Sequence, residues 1–362
     1  MQHTFNNKTL VLSSSDIEKI VTEVGINEIM DSLINRMIVA FEDYDPKYIT
    51  IPIRAGFHYN EPQQGLVEWM PLYQHGEQVM IKVVGYHPNN PKQFQLPTII
   101  STISSYDTST GQLKGIMDGV FLTALRTGAA SALGSLYLAK PGSSSLGLIG
   151  CGAQAVTQLH AISRVFPLNA VYYYDNDPEV VASFIDRVDM LDLTINFIPS
   201  TIEKVVESAD ILSTATSIDV GEGPLFNNLK TKEHLHINAV GADFPGKTEL
   251  PLELLRKSFV CPDFLGQALV EGECQQLKDD EIGANIFECV QNSDNFTDKK
   301  HQRTVFDSTG LSLEDQVVMD LFLEHASAMN LGQMIEIETI SNDAKNPYEF
   351  MKKEQVGGLV IG

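Results

Sequence analysis

The stretch GLIGCGAQAVTQLH at residues 147–160 contains two glycines with the spacing of a dinucleotide-binding turn. Gly150 and Gly152 match the pattern G-x-G-x-x-G, and Ala155 stands at its third position, where a small residue suffices for close helix–strand packing. An apolar strand is predicted before this turn and a helix after it, so the helix N-terminus would face a pyrophosphate. The pattern therefore predicts a nicotinamide dinucleotide site.

Asp175 ends the next predicted strand. A carboxylate there would accept hydrogen bonds from ribose hydroxyls and repel a 2′-phosphate, which favours NAD over NADP. The alternative is structural, because Asp175 could be a loop residue beside a helix that starts at Asp177–Pro178.

A second candidate is Asp243, in NAVGADFPGKTEL (residues 238–250). It lies just beyond a predicted parallel strand, where open α/β sheets place their ligands. A carboxylate there can act as a general base or bind a substrate ammonium. An aspartate before Pro245–Gly246 is also common in a plain turn, so both interpretations stay open.

Three cations, Arg54, Lys82 and Arg126, stand among apolar or small neighbours in an acid-rich chain. A cation that is buried in such surroundings needs a partner. Together the three could hold a carboxylate, while each alone could equally be a surface or salt-bridged residue. Glu68, in LVEWMP, could pair with a substrate amine or face outward from a strand.

The elements that must position these residues fall into two groups. Residues 49–103 read as β-rich segments between polar turns, which predicts an antiparallel or mixed sheet carrying Arg54, Glu68 and Lys82. Helices are predicted at 26–41, 119–139 and 311–329, and Ser15 with Glu18 predicts a capping box. Beyond residue 145, apolar strands alternate with helical segments, which predicts a parallel doubly wound sheet. Its strands are predicted at 145–150, 170–175, 194–198, 209–216, 234–242, 258–263 and 304–309.

Composition excludes several function classes. The net charge of −22 argues against binding to nucleic acid or to an anionic membrane, since both would be repelled. Four cysteines lack metal-ligand spacing, which predicts free thiols and no metal site. The N-terminal residues have neither a basic nor an apolar signal region, so a cytoplasmic protein is expected.

Several long motifs, in this order, resemble the ornithine cyclodeaminase/mu-crystallin family. The resemblance covers nearly the whole chain and is clearest over residues 50–330. The motifs are GLVEWMP, IKVVGYHPNNP, TALRTGAAS, LIGCGAQ, YYDNDP, NAVGADFPGKTEL, EGECQQL and VFDSTGLSLED.

The resemblance implies roles for individual residues. Arg54, Lys82 and Arg126 are similar to the family's carboxylate-binding trio, and Glu68 to its acidic residue facing the substrate amines. Asp243 corresponds to the catalytic aspartate, with Glu68 assisting. The implied contacts to the NAD cofactor are Thr98, Arg126, Gly150, Gly152, Ala153, Gln154, Asp175, Lys247 and Ser308.

The resemblance also implies a fold and a reaction. The fold is α/β, a Rossmann-type doubly wound sheet (128–324) inserted in a second α+β substrate and dimerisation domain (1–127 plus 325–362), and the assembly is a homodimer. Within the family, the motifs favour conversion of the amino acid L-ornithine to L-proline and ammonia, with NAD+ as a recycled hydride acceptor.

Other family activities remain open. The alternatives are conversion of L-lysine to L-pipecolate, a net redox role as an amino acid dehydrogenase or ketimine reductase, and a non-enzymatic crystallin-like binder. A methylene contributes only about 1–3 kcal/mol of discrimination, so sequence does not separate lysine from ornithine.

Overall fold

The computed structural model describes residues 7–227 and 229–351. Within these residues, fifteen strands form two sheets. Sheet A is mixed and contains β1 (Thr9–Leu12), β2 (Ile49–Thr50), β3 (Ala55–Tyr59), β4 (Gly65–Gln74), β5 (Gln78–Tyr86), β6 (Ile99–Asp107), β7 (Leu113–Asp118) and β15 (Gln333–Ile335). Sheet B contains β8 (Ser145–Ile149), β9 (Ala170–Tyr174), β10 (Asn196–Pro199), β11 (Ile211–Thr214), β12 (His236–Ala239), β13 (Phe259–Pro262) and β14 (Thr304–Asp307).

Twelve α-helices and five short 3-10 helices complete the described residues. The α-helices are α1 (Ser14–Val24), α2 (Ile26–Glu42), α3 (Asn90–Phe94), α4 (Val120–Leu138), α5 (Ala153–Val165), α6 (Pro178–Ala182), α7 (Phe184–Val188), α8 (Ile202–Ser208), α9 (Leu252–Leu255), α10 (Leu265–Ala268), α11 (Ile286–Gln291) and α12 (Ser312–Met329). The 3-10 helices are Asp189–Leu191, Glu273–Gln276, Asp279–Glu281, Ser293–His301 and Glu349–Met351. No helix in the described ranges is long and apolar enough to cross a membrane.

Sheet A alternates between a buried and an exposed face, as the period of a β-strand requires. Along β4, Glu68 and Met70 are buried, whereas Trp69 and Tyr73 are exposed. Met70 pairs with Lys82 on the antiparallel strand β5, so Lys82 shares the buried face. The prediction that the sheet carries Glu68 and Lys82 is therefore confirmed.

Arg54 departs from that prediction because it lies in no strand. β2 ends at Thr50 and β3 begins at Ala55, so Arg54 occupies the irregular segment between them. Pro52 interrupts the predicted strand, since proline cannot donate to a sheet ladder. The break frees Arg54 to turn towards sheet B.

Sheet B is parallel throughout and confirms the doubly wound α/β prediction. Its order is β10-β9-β8-β11-β12-β14-β13, and each of the seven predicted strands is present. The strand order reverses between β8 and β11. Such a switch point opens a crevice beyond the carboxyl ends of the strands, which is where ligands of this architecture bind.

Helix α4 ties the two sheets together, and small residues let it pack closely. A Cβ on Gly128 would lie 2.4 Å from the Thr157 carbonyl oxygen of α5, and one on Gly134 would lie 2.6 Å from the Phe306 ring of β14. One apolar cluster runs from Met80 of sheet A to Phe306 of sheet B. The small-residue-rich segment therefore forms the closely packed helix that was predicted.

Three local features differ from prediction. The capping box of α1 is built by Ser13 and Asp16 rather than Ser15 and Glu18, because the helix starts two residues earlier. The strand β7 was not predicted. β15 was not predicted as a strand either, but it pairs with β1, so this part of the tail packs on sheet A as expected. The division at 127/128 and 324/325 stays a prediction, and 352–362 lie outside the described residues.

Candidate active site

The candidate cofactor residues gather at one edge of sheet B. Gly150 follows β8, Asp175 follows β9, and Ser308 follows β14. Because all strands of the sheet are parallel, these positions share its carboxyl edge. The structure therefore places residues that are up to 158 positions apart in the chain along a single crevice.

The glycine turn has a backbone that fits a dinucleotide. Gly150 has φ +88°, and a Cβ there would lie 2.6 Å from the Ala215 carbonyl oxygen beyond β11. Gly152 is the N-cap of α5 and offers no side-chain hydrogen bond, and nothing lies within 4 Å of where its Cβ would be. Ala153 and Gln154, the first helical residues, thus present backbone N–H groups that no cap satisfies. Open space and free donors suit a pyrophosphate.

Asp175 is tied to this turn. Its Oδ2 accepts a hydrogen bond from Cys151 N at 2.7 Å, and its Oδ1 accepts one from Asp177 N at 3.0 Å. Asp177, and not Asp175, caps α6 by accepting from Glu179 N. The structural alternative for Asp175 is therefore only partly met, and the carboxylate is positioned beside the glycine turn.

Ser308 has a feature that suits a ligand contact. Its side chain is buried, yet none of the described residues gives its Oγ a hydrogen bond. A buried hydroxyl without a partner is costly unless something else forms a hydrogen bond with it.

Thr98 is half-buried and directly precedes β6, and its carbonyl oxygen accepts a hydrogen bond from His87 N at 2.9 Å. The next residue, Ile99, pairs with Tyr86.

On the sheet A side, Arg54 and Glu68 lie together. Arg54 Nη1 is 3.7 Å from Glu68 Oε2 and 2.9 Å from Glu271 Oε1. Arg54 Nη2 donates to the carbonyl oxygens of Thr309 and Gly310, at 2.5 and 3.0 Å. The guanidinium therefore bridges the two sheets, and all three charged side chains are nearly excluded from solvent.

Lys82 and Arg126 form a second cationic group around helix α12. Lys82 Nζ lies 2.8 Å from Asp315 Oδ2, while Arg126 Nε lies 3.2 Å from Asp315 Oδ1. Arg126 Nη1 also donates to Glu314 Oε2 at 2.8 Å. Burial lowers the pKa of Lys82 to about 8, helped by the charges of Arg126 and Arg54 and opposed by Asp315. Arg126 and Arg54 therefore both lie close enough to Lys82 for their charges to act on it.

Asp243 follows β12 and is paired with Lys247. The Lys247 ammonium lies 2.8 Å from Asp243 Oδ1, donates to the Thr216 carbonyl at 3.0 Å and sits 5.5 Å from the centre of the Tyr86 ring. Although burial opposes it, the Asp243 carboxylate keeps the pKa of Lys247 above its usual value. The Asp243 side chain keeps 27% exposure, so it is accessible to a ligand.

Glu271 adds a third carboxylate to this region. Burial raises its pKa to about 8; the Arg54 guanidinium opposes that rise, while the charges of Glu68 and Asp243 add to it. Glu68 and Asp243 therefore both lie close enough to Glu271 for their charges to act on it, and an ammonium bound beside these acids would favour the charged form of Glu271.

The site is consequently two-ended. One end holds the cations Lys82 and Arg126, and the other holds the carboxylates Glu68, Asp243 and Glu271. An amino acid with a second amine is anionic at its carboxylate and cationic at its side chain. Arg126 lies against Gly310, just beyond β14, and Asp243 lies beyond β12, so each end reaches the carboxyl edge of sheet B, where a nicotinamide cofactor would bind. Among the described residues, no group of three or more His, Cys, Asp or Glu could hold a metal ion.

Sequence reasoning missed several residues of this site. Glu271 lies in EGECQQL, and Glu314 and Asp315 lie in STGLSLED, motifs that carried the resemblance without a role for these acids. His58 had no signal beyond lying near Arg54. Asp315 could have been sought from the sequence because Lys82 and Arg126, if buried, need an anionic partner.

Comparison with known proteins places this arrangement in a class of enzyme. Residues 15–330 match the model of the ornithine cyclodeaminase/mu-crystallin family. The chain belongs to this family, and it is an NAD-dependent enzyme of the cyclodeaminase family.

Two relatives show where within the family the likeness is strong. An L-lysine cyclodeaminase of Streptomyces rapamycinicus is 39% identical over 347 residues, covering 94% of this chain and 99% of the relative. An ornithine cyclodeaminase of Agrobacterium fabrum is 34% identical over 254 residues, covering 70% of each chain. The expectation of a specific likeness to ornithine-converting members therefore needs correction, since the lysine enzyme matches more of the chain at higher identity.

Two solved structures are also similar to this chain. A lysine cyclodeaminase, studied for its recognition of L-lysine, L-ornithine and L-2,4-diamino butyric acid, superposes with a TM-score of 0.91 at 44% identity and covers 94% of this chain and 99% of that chain. An archaeal alanine dehydrogenase dimer with bound NAD has a TM-score of 0.80 at 30% identity and covers 91% and 100%. Relatives of this chain thus bind NAD, and one of them is a dimer.

Proposed function

We propose that this protein converts L-lysine to L-pipecolate and ammonia, with NAD+ as a recycled cofactor. The observation that carries the proposal is that one site combines the buried cations Lys82 and Arg126 with the acidic groups Glu68, Asp243 and Glu271. The stronger likeness to a lysine cyclodeaminase supports lysine over ornithine. L-Ornithine, one methylene shorter, is the second candidate substrate, because a methylene changes binding by only about 1–3 kcal/mol.

The cations would hold the substrate carboxylate. Arginine offers a bidentate fork and lysine a point charge, so Arg126 and Lys82 together would fix both position and orientation. Asp315, which contacts both, would keep them facing the same point. Arg54 contacts Glu68, and its charge also acts on Lys82, so it would serve as the third contact from a position between the two ends.

The carboxylates would hold the terminal amine and take up its proton. An amine attacks carbon only as the neutral base, so an acceptor must lie within hydrogen-bond reach. Asp243 is our choice for that acceptor because it is accessible and lies at the sheet edge, and Glu68 would assist in binding the amine. Burial of Glu68 and Arg54 at the junction of the sheets would limit water, which hydrolyses imines.

The crevice of sheet B would hold NAD+. The pyrophosphate would lie on the Gly150–Gly152 turn and the first residues of α5, a ribose at Asp175, and other contacts at Thr98, Arg126, Lys247 and Ser308. The chemistry that NAD+ supplies when bound is reversible hydride transfer at the substrate α-carbon, so the overall reaction has no net redox change.

The test is product identification. Purified protein with catalytic NAD+ is incubated separately with L-lysine, L-ornithine and L-alanine, and amino acid products, ammonia and NADH are quantified. We expect pipecolate and ammonia in a 1:1 ratio from lysine, with less proline from ornithine. Accumulation of NADH in proportion to product would indicate a dehydrogenase instead, and no product from any substrate would leave a binding role.

The assembly is the remaining part of the proposal. The outer face of sheet A carries Phe57, Trp69, Tyr73, Val83 and Ile100, each at least 38% exposed. Exposed apolar patches of this kind mark interaction sites. A homodimer through this face is supported by the dimeric state of the related alanine dehydrogenase. The opposite face of the same strands carries Glu68 and Lys82, so dimerisation would restrict the motion of the strands that position these two side chains.

A further inference from the structure

His58 lies between a buried carboxylate of the site and the solvent. It is on β3, where it pairs with Leu66, while Gly56 pairs with Glu68. Since side chains alternate along a strand, His58 and Gly56 face the same side as Glu68. The imidazole Nε2 lies 3.2 Å from Glu68 Oε1.

Gly56 makes this contact geometrically feasible. A Cβ at that position would lie only 2.6 Å from Glu68 Cγ and 2.4 Å from the Val67 carbonyl oxygen. Without a side chain there, Glu68 can lean across β3 between Arg54 on one side and His58 on the other. The carboxylate therefore contacts one guanidinium, which has no acceptor atom, and one imidazole, whose two ring nitrogens can each accept or donate a proton.

The side chain of His58 is much more exposed to solvent than that of Glu68. The Glu68 side chain is 6% exposed and the His58 side chain 41%. Arg54, at 9%, is the other contact of Glu68, and its guanidinium does not release a proton in a protein. Of the two ion-pair partners that Glu68 has among the described residues, His58 is therefore the one that can pass a proton towards solvent.

His58 also touches the opposite wall of the crevice. Its ring meets the ring of Phe244 edge-on, with centroids 4.9 Å apart at 64°. Phe244 directly follows Asp243, so the imidazole connects sheet A to the loop that carries the candidate base. Among the charged groups on the elements packed here, Glu68 of β4 contacts His58 directly, and Asp243 immediately precedes Phe244. Arg54, before β3, contacts Glu68 and also Glu271, beyond α10.

We infer that His58 is a positioning residue that carries the substrate's proton out of the site through Glu68, an assignment that rests on the proposed function. The terminal ammonium breaks one N–H bond to Asp243, the proposed base. When the resulting neutral amine bonds to carbon, its nitrogen becomes positively charged again and breaks a second N–H bond, and Glu68 takes that proton as a new O–H bond. Glu68 then passes this proton to His58 Nε2. The resulting imidazolium releases its Nδ1 proton to water, which restores the neutral ring and the free carboxylate. No oxidant or other reactant is required.

The test compares His58→Gln with His75→Gln. Glutamine can still donate to Glu68 but cannot exchange a proton, so His58→Gln separates hydrogen bonding from proton transfer. His75 is an exposed histidine of the same sheet, bonded to Thr50 Oγ1 at 2.8 Å, and it serves as the matched control. Each protein is assayed for pipecolate formation from L-lysine over a pH series.

We expect kcat of His58→Gln to fall by about 10²-fold, the lower range for general acid–base groups, with KM for lysine changed less than about threefold. The ascending limb of the kcat–pH profile should shift or vanish. In His58→Ala, added imidazole should restore kcat in a concentration-dependent way, while His75→Gln matches wild type.

Different outcomes separate the two hypotheses. If wild-type protein forms no cyclic product from lysine or ornithine, the proposed function fails, and the role of His58 falls with it. If wild type is active and His58→Gln retains its kcat and pH profile, the function stands and the role of His58 is wrong. A change confined to KM, without imidazole rescue, would also overturn proton transfer, because it indicates a purely structural contact.

Discussion

Lys82 Nζ lies 2.8 Å from Asp315 Oδ2, and this buried ion pair joins the centre of sheet A to helix α12. Arg126 contacts the other oxygen of the same carboxylate. The cationic end of the site is thus partly neutralised before any substrate arrives, so binding of a substrate carboxylate should depend on the protonation of Lys82.

This relationship predicts a pH dependence for substrate capture. The pKa of Lys82 is lowered to about 8, chiefly by burial, so Lys82 is charged below that pH and neutral above it. We expect kcat/KM for L-lysine to fall by up to about tenfold per pH unit above about pH 8 as this cation is lost. Steady-state kinetics between about pH 6.5 and about pH 9.5 measure this descending limb of the kcat/KM–pH profile.

Two variants identify the group responsible. Lys82→Arg keeps its charge throughout this range, so its descending limb should be weaker even if its overall efficiency is lower. Glu271 also has a pKa raised to about 8, which makes Glu271→Gln the matched control. A limb that persists in Lys82→Arg but disappears in Glu271→Gln would assign it to Glu271 instead.

Ser308→Ala should weaken NAD+ binding without destabilising the fold. Its Oγ has no partner among the described residues, so the variant loses no internal hydrogen bond. A lost hydrogen bond to the cofactor would raise the NAD+ Kd about 2- to 10-fold, corresponding to about 0.5–1.5 kcal/mol. Calorimetric titration gives Kd, and a thermal melt of the free protein gives Tm.

Ser312→Ala provides the opposite pattern. Ser312 Oγ donates to the Pro71 carbonyl at 2.9 Å, so this variant should lower Tm while NAD+ binding is retained. If Ser308→Ala instead lowers Tm and leaves the NAD+ Kd unchanged, the Ser308 hydroxyl is structural.

Much of the fold follows from the sequence because its patterns are local. The strands of sheet B are short apolar runs between helical segments, and glycine spacing marks the turn after β8. β7 escaped prediction because LKGIMD has few β-branched residues and a central glycine. It is a strand through pairing with β1 and β6, which are distant contacts that no local pattern reveals.

The candidate site residues that the sequence indicates are those that follow strands or interrupt apolar runs, whereas their charged partners carry no such local signal. Glu314 and Asp315 look like ordinary acids in the first turn of a helix, where negative charge is favourable and usually solvated. Both are fully buried, because α12 packs against β4 and β5 of sheet A and against α4. Tertiary packing decides which acid neutralises Lys82. The sequence therefore indicates that a buried Lys82 needs an acidic partner, but it does not identify that residue.

Asp175→Ser should narrow the preference for NAD+ over NADP+. The carboxylate lies beside the glycine turn, where it would repel a 2′-phosphate, and serine removes that charge. Direct titration of both cofactors measures the ratio of Kd values. Asp177→Asn is the matched control, since it removes a neighbouring charge and keeps an oxygen that can cap α6. A wild-type preference for NADP+, or an equal effect of Asp177→Asn, would contradict the assignment.

Trp69→Glu should convert a dimer to monomers. Trp69 lies at the middle of the exposed apolar face of sheet A, and a buried, unpaired carboxylate at an interface is strongly unfavourable. Light scattering should report the mass of one chain for Trp69→Glu and of two for wild type. Met190→Glu, at a position that is 70% exposed near sheet B, should remain dimeric. A dimeric Trp69→Glu would place the interface elsewhere.

Asp243→Asn should retain ligand binding and lose turnover. Asparagine keeps an oxygen that can accept from Lys247, so the 2.8 Å contact can persist, but it cannot take a proton near neutral pH. If Asp243 takes the proton of the substrate amine, kcat should fall at least about 10²-fold while the Kd of NAD+ changes little. Asp219→Asn, an exposed aspartate whose charge also acts on Tyr86, controls for a general electrostatic effect. Ammonia and pipecolate from lysine are measured for all three proteins. Wild-type turnover in Asp243→Asn would show that another group accepts the proton, and Glu68, which lies across the crevice beside His58, would be the next residue to substitute.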